Sequence, residues 1–425
     1  MVERTTAIRN MMKDYSRIAR KITSVLFVSQ GLSAAGFIAA FTVNALVAVD
    51  LSGKPAMAGV PGAVVVLGQA GGALFWGYWM ERIGRRGGIA LGQLAGVVGA
   101  AIAASAVAGR SLFFFLTGLA LVGTARAAVE LGRFAAAEVH HSSEKGRAIS
   151  KVVLGSTAGA VFGPLLVAPT GKMALHFGVS QLAGAYSVSF AGLIVAALLI
   201  FIGLRPDPRD VGRELALINA PSAAPWETRP LSEIVRHPGV IVAMTSMVFA
   251  QMIMMVPMSI TSLHMKTHQH SLASISMVIS AHTFGMYVFS IASGWMTDRW
   301  GRARMILCGS AVMMVSCLMA APSTRFIPLL ISLFLLGLGW NFAYVAASTL
   351  LADQLSPGER AKTQGLNDLL LNLASGASQL ASGIVYAVGG YGVMALTAGL
   401  MAVVPPLLVF RWQSPAVQTA PLRHP

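Results

Sequence analysis

The chain has 425 residues, 55% hydrophobic and 11% charged, with a mean hydropathy of +0.69. Soluble domains carry about 25% charged residues, so a water-surrounded globular fold is excluded and lipid is the expected solvent. The net charge of +15 does not point to nucleic acid, because the basic residues sit in short clusters between apolar runs and build no continuous patch.

From the N-terminus, residues 1–21 read as a basic cytoplasmic lead-in, since the apolar run after them is too long for a signal peptide. Twelve apolar runs of roughly 20 residues or more follow and predict an all-α membrane protein with twelve transmembrane helices. The first six cover about 22–49, 57–80, 88–108, 112–139, 148–168 and 180–204. The second six cover about 240–263, 272–297, 303–321, 326–352, 361–388 and 391–411. Residues 205–238, rich in Pro and charge, read as a cytoplasmic linker between a first half (22–204) and a second (239–411), and 412–425 as a cytoplasmic tail without regular structure.

With both termini inside, 24 of the 31 Lys and Arg fall in or beside inner segments and 5 (Lys54, Arg110, Lys172, Lys266, Arg325) in outer loops. Arg126 and Arg133 lie within a span. This asymmetry supports twelve crossings of the inner (plasma) membrane with both termini cytoplasmic. Cys308 and Cys317 share one apolar run, so no disulfide framework or CxxC metal motif is expected.

Each half carries the same punctuation between its second and third spans. The first copy holds Gly77, Glu81, Arg82, Gly84 and Arg85, and the second holds Gly294, Asp298, Arg299, Gly301 and Arg302. Gly77 and Gly294 are 217 residues apart, about half the chain, as a duplication would leave them. A second echo follows each half's fourth span, Glu144-Lys-Gly-Arg147-Ala148 and Gly358-Glu359-Arg360-Ala361. The repeated loop resembles the G-x-x-x-D-R-x-G-R-R signature of the major facilitator superfamily, with Glu81 in place of Asp in the first copy. The resemblance spans the whole chain and implies two pseudo-symmetric six-helix halves, alternating access and a cytoplasmic latch made by these ten residues.

Arg126, Glu130 and Arg133 lie inside the fourth span at i,i+4 and i,i+3 spacing, so they share one helix face. Buried charges cost at least about 2.5–3.5 kcal/mol each at midspan and must pair or line water. They read either as a proton or substrate relay with Glu130 titrating or as a neutralised structural triad. Asp50 and Asp368 are weaker candidates for the same role. In the fifth span Gly155, Gly159 and Gly163 repeat every four residues before Pro164. That spacing favours a close-packing stripe, although it partly resembles a motif of drug–proton antiporters.

Residues 244–286 hold nine of the 22 Met and four of the nine His, against about two and one for an even spread. Met254 and Met258 in the seventh span, and His282 and Met286 in the eighth, are i,i+4 pairs that each present two soft donors in one direction. Thioether and imidazole suit Cu(I), whereas any single Met here reads first as adaptable core filler and only then as a ligand. The outer stretch His264–His270 reads as a polar loop or a first capture point for metal. The two pairs resemble the CcoA-like copper importers of the superfamily, marked by MxxxM and HxxxM, and the resemblance implies Met254, Met258, His282 and Met286 as metal ligands.

The expectation is a secondary transporter, not an enzyme, importing copper as cargo with no permanently bound cofactor. The alternative is an organic-solute carrier, either a riboflavin-type importer or a drug–proton antiporter. A sensor or scaffold without transport would not need two latch loops. No ATP-binding G-x-x-x-x-G-K-[ST] is present. Expected partners are the lipid bilayer and a small solute or metal ion, with the chain a monomer and no nucleic acid bound.

Overall fold

A computed structural model of the chain describes residues 2–141, 144–218, 228–356 and 358–413. Among the described residues the secondary structure is helical, with no strand. In chain order the helices are α1 (Val2–Ser52), α2 (Val60–Ala108), α3 (Leu112–Glu138), α4 (Lys145–Phe162), α5 (Val167–His176), α6 (Gly184–Gly203), α7 (Pro208–Ile218) and α8 (Leu231–Ile234). There follow α9 (Pro238–Thr267), α10 (Leu272–Tyr287), α11 (Ser290–Trp300), α12 (Arg302–Ala320), α13 (Phe326–Asp353), α14 (Arg360–Met401) and α15 (Val404–Gln413).

Nine helical stretches among the described residues are long and apolar enough to cross a membrane, or ten when α10 and α11, bent by 41°, count as one span. Two of the ten are double length. One is broken at Gly84 (φ 86°) and the other at Gly390 (φ 71°). Each break separates two expected spans, so the described residues are consistent with twelve crossings. The expected cytoplasmic linker is partly helical, with α7 packed beside Glu138 of α3 and α8 leading into α9. The expected unstructured tail lies outside the described residues beyond Gln413.

The chain forms two units. Met1–Val47 and Val64–Ser222 make the first, and Ala48–Ala63 with Ala223–Pro425 make the second. The turn after the first span thus groups with the second unit, where a Cβ on Gly59 would lie 1.6 Å from the Gln379 carbonyl oxygen of α14.

Close approach of backbones holds the first unit together. A Cβ on Gly155 would meet the Phe27 carbonyl oxygen at 2.2 Å, one on Gly159 the Gly31 oxygen at 1.9 Å, and one on Gly163 the Ala35 oxygen at 2.4 Å. The glycine stripe of the fifth span is therefore the surface on which α4 meets α1. In lipid, where helices gain nothing by hiding apolar surface from one another, such contact supplies dispersion attraction. In the second unit α13 approaches α10 and α12 in the same way, with a Cβ on Gly337 2.2 Å from the His282 oxygen and one on Gly309 2.5 Å from the Ala343 nitrogen.

A charged strut closes the basic end of the second unit. Glu359, at the start of α14, is 3% exposed. Its Oε1 accepts from Arg229 Nε at 2.8 Å and from the Arg229 backbone N–H at 3.0 Å. Its Oε2 accepts from Arg229 Nη2 at 3.0 Å and from the Ser356 N–H at 2.9 Å. The guanidinium hydrogen bonds outweigh desolvation and hold the Glu359 carboxyl well below the usual carboxylate range.

Two outcomes are expected. Gly159→Ala drives a methyl into the Gly31 carbonyl and should cost about 1–3 kcal/mol, read as a lower thermal midpoint of the purified protein, whereas Gly71→Ala, with open space around it, should not lower it. The Glu359 strut contributes fully above the unfolded carboxylate range near pH 4.5 and is lost as pH falls through its depressed folded value. Acidification should therefore destabilise the wild type more steeply than Glu359→Gln, as read by thermal melts across pH.

Candidate functional site

The repeated loops adopt the same backbone turn. Gly84 (φ 86°, ψ 165°) and Gly301 (φ 92°, ψ 151°) occupy a left-handed region that any side chain would strain. The arginine after each glycine then reaches an acid at the end of the fourth span of its own half. Arg85 Nε donates to Glu138 Oε1 at 3.0 Å and Oε2 at 3.1 Å. Arg302 Nε donates to Asp353 Oδ2 at 3.0 Å. Glu138 and Asp353 escaped the sequence reading, although both close a fourth span and stand 215 residues apart.

The two copies differ in their other acidic contacts. Asp298 pairs with Arg302 at 3.1 Å. Glu81 is exposed, and its carboxylate accepts no hydrogen bond among the described residues, lying only within electrostatic reach of Arg85. In the first half Asp207 serves instead, accepting from the Arg85 N–H at 3.1 Å and the Arg86 N–H at 3.0 Å. These are the unsatisfied donors of the helix that restarts after Gly84. Arg209 Nη1 caps the preceding segment, donating to the carbonyls of Glu81 at 2.9 Å and Arg82 at 3.1 Å. Arg82 lies over the Tyr78 ring at 4.3 Å and Arg299 over Trp295 at 5.4 Å.

Midway along α3, Arg126 Nε donates to Glu130 Oε1 at 3.2 Å, and Gln69 Nε2 of α2 donates to Oε2 at 2.8 Å. The Arg126 and Glu130 side chains remain 40% and 41% exposed. An ion pair within a span is costly against hydrocarbon. Arg133, one turn on, has its guanidinium over the Phe134 ring at 4.9 Å. Gln30, which donates to the Val129 carbonyl and accepts from Ser156 Oγ at 2.9 Å, extends the polar layer behind the pair.

In the second unit the four soft donors are all buried: Met254 1%, Met258 4%, His282 0% and Met286 6% exposed. Met254 and Met258 flank Pro257, which lies inside α9 and offers no N–H to the turn before it. His282 is tied to α13, its Nδ1 2.8 Å from the Leu333 carbonyl oxygen. A carbonyl only accepts, so Nδ1 carries the proton and the neutral ring leaves a lone pair on Nε2. That Nε2 is buried without a hydrogen-bond partner among the described residues. No hydrogen bond there joins the α9 pair to the α10 pair. Among the described residues no three His, Cys, Asp or Glu gather as a metal site either, so a metal here would depend on the thioethers. Below Met286 the bend between α10 and α11 is held by Asn341, whose Nδ2 donates to the Met286 carbonyl at 2.6 Å and to Ser290 Oγ at 2.8 Å.

The outer stretch expected as a loop is helical through Thr267. His264 is 7% exposed, stacks on Tyr391 at 4.1 Å, and has Nε2 2.8 Å from the Ser323 carbonyl oxygen. His270 Nε2 lies 2.7 Å from the Thr324 carbonyl oxygen.

An aromatic and amide cluster is the feature the sequence reading passed over. Trp340 and Tyr344 of α13 stack at 4.7 Å and 19°. Trp340 Nε1 donates to Gln251 Oε1 at 3.0 Å, and Gln251 Nε2 to Ser375 Oγ at 2.9 Å. Tyr287 adds an edge contact to Trp340 at 6.3 Å. A glutamine inside an apolar run was the available signal, since an amide in a span needs partners.

Comparison with known proteins gives a consistent result. The model of the Major Facilitator Superfamily matches residues 26–266 and 243–424. An uncharacterized MFS-type transporter of Bacillus subtilis, YdeG, is 34% identical over 380 residues, covering 89% of this chain and 88% of its own. The riboflavin transporter RfnT of Brucella anthropi is 28% identical over 395 residues, covering 92% of this chain and 96% of its own. Among solved structures, a bacterial homolog of the human lysosomal transporter Spinster, inward-facing and unoccupied, superposes with a TM-score of 0.70 at 15% identity, covering 93% of this chain and 96% of that one. That last likeness concerns the fold alone. Family model, full-length relatives and the twice-built Gly–Arg–carboxylate loop agree: the chain belongs to the major facilitator superfamily of membrane transporters.

Proposed function

We propose that this secondary transporter carries an organic solute with a planar aromatic ring, of the riboflavin class. The observation that carries this reading is the Trp340–Tyr344 stack, oriented by Gln251 and Ser375. An indole held by a span's half-buried amide offers a π-face with a polar rim, which suits a flat heteroaromatic ring better than a bare ion. The 28% identity to a riboflavin transporter across nearly the full length supports the same class. In the first unit the exposed Arg126–Glu130 pair with Gln69 provides charge for proton coupling or for a polar substituent.

A second reading, copper import, has one specific observation in its favour: the unpartnered, buried Nε2 of His282 on a helix that also carries Met286. Thioether and imidazole donors suit Cu(I).

Uptake in a riboflavin-auxotrophic bacterium lacking its own transporter separates the two. The wild type should give saturable riboflavin uptake, and Trp340→Ala should raise the half-saturating concentration about 2- to 10-fold. Glu130→Gln should flatten the pH dependence of flux. Riboflavin uptake at the empty-vector level, together with copper accumulation that falls in His282→Ala and Met286→Ala, would replace the organic-solute reading with the metal one.

A further inference from the structure

The first unit contains an open recess of about 310 Å³ between the start of α1, the end of α3 and the start of α4, lined by Arg20, Thr23, His140, Glu144, Arg147 and Lys151, with Ser16, Ala19 and Ala148. It lies at the end of the bundle that carries the Lys and Arg excess. Arg147 and Lys151 are i,i+4 on α4, so they repel each other unless something negative sits between them. Among the described residues neither they nor Arg20 forms an ion pair. Against three cations the lining sets one carboxylate, Glu144.

Two further features favour an anion. α4 is an 18-residue helix whose first turn opens at this recess, and Glu144 at its N-cap position makes no side-chain capping bond. Its leading N–H groups therefore add to the positive potential of the arginines and lysine. His140 has Nδ1 2.8 Å from the Ala136 carbonyl oxygen, so that nitrogen holds the proton and Nε2 is left as the ring's other polar atom.

The duplicated motif shows what has been left open. In the second half Glu359 is closed down by Arg229 and the Ser356 N–H, a strut that needs no ligand. In the first half Glu144 stands exposed, and among the described residues Arg20, Arg147 and Lys151 form no ion pair. We propose that this recess binds a phosphate-bearing anion, supplied either by the headgroup of an anionic phospholipid or by a soluble phosphate compound. Basic pockets at this depth, beside the membrane surface, attract such groups, and the volume falls at the lower end of that of small-molecule sites.

Purified full-length protein in detergent tests it with two probes. Native mass spectrometry compares retention of phosphatidylglycerol with phosphatidylcholine, and thermal melts titrate inorganic pyrophosphate. Preference for phosphatidylglycerol that drops at least about 5-fold in Arg20→Gln/Arg147→Gln/Lys151→Gln, and survives in Arg20→Lys/Arg147→Lys, supports a lipid source. The same pattern with pyrophosphate, and none with lipid, supports a soluble source. Lys172→Gln, on the opposite face, should change neither. Glu144→Gln removes the one carboxylate without removing a donor, and should tighten the effective probe about 2- to 5-fold. The proposal is overturned if neither probe distinguishes wild type from the triple variant, or if Glu144→Gln leaves binding unchanged or weaker.

Discussion

A guanidinium placed immediately after a left-handed glycine, and answered by a carboxylate from the fourth span, organises each half of this chain. Arg85 meets Glu138, and Arg302 meets Asp353. The glycine lets two apolar helices turn back without a long loop, and the turn would leave backbone donors and acceptors bare at the membrane surface. The charged contact fixes the direction of the returning helix against the fourth span. Much of the remaining packing within the half, including the α10–α13 and α12–α13 approaches, presupposes that direction. Because the arginines are only partly shielded, their role is mainly one of geometry, and exposed ion pairs contribute modestly to stability.

The halves use this common scaffold differently. In the first, two extra residues from the linker, Asp207 and Arg209, cap the broken helix from both sides. In the second, Asp298 pairs with Arg302 within its own loop. The interiors diverge as well. The first unit buries glutamines behind a charged pair, and the second gathers an indole, a phenol and an unpartnered imidazole nitrogen. A duplicated fold has kept its turns and exchanged its interiors, as expected when the turns answer to backbone geometry.

The fold was largely legible in the sequence, because the spans follow from length and apolarity, both local properties. The glycine stripe was legible for a similar reason, since a four-residue spacing sets one face. The continuity of α2 and α14 through their glycine breaks, and the bend between α10 and α11, were not legible. They depend on which donors arrive from elsewhere in the chain. Glu138, Asp207 and Gln69 escaped notice because a partner's identity is a tertiary fact. His264 shows the limit from the other side: a histidine beside a lysine looked like a polar loop residue, yet α9 runs on and buries it against Tyr391.

Asn341 reverses the usual logic of substitution in a membrane helix. At most positions of α13 one apolar side chain exchanges for another at small cost, and a polar one is penalised. Asn341 instead supplies the amide that the bent eighth span lacks, reaching the carbonyl of Met286 and the hydroxyl of Ser290, while its own oxygen accepts from Ser293. Any leucine or valine there, the safest choice by hydropathy, would strand that carbonyl in hydrocarbon. A tolerance map of this helix would therefore run opposite to its hydropathy plot at one position, and that position splints the segment carrying His282 and Met286.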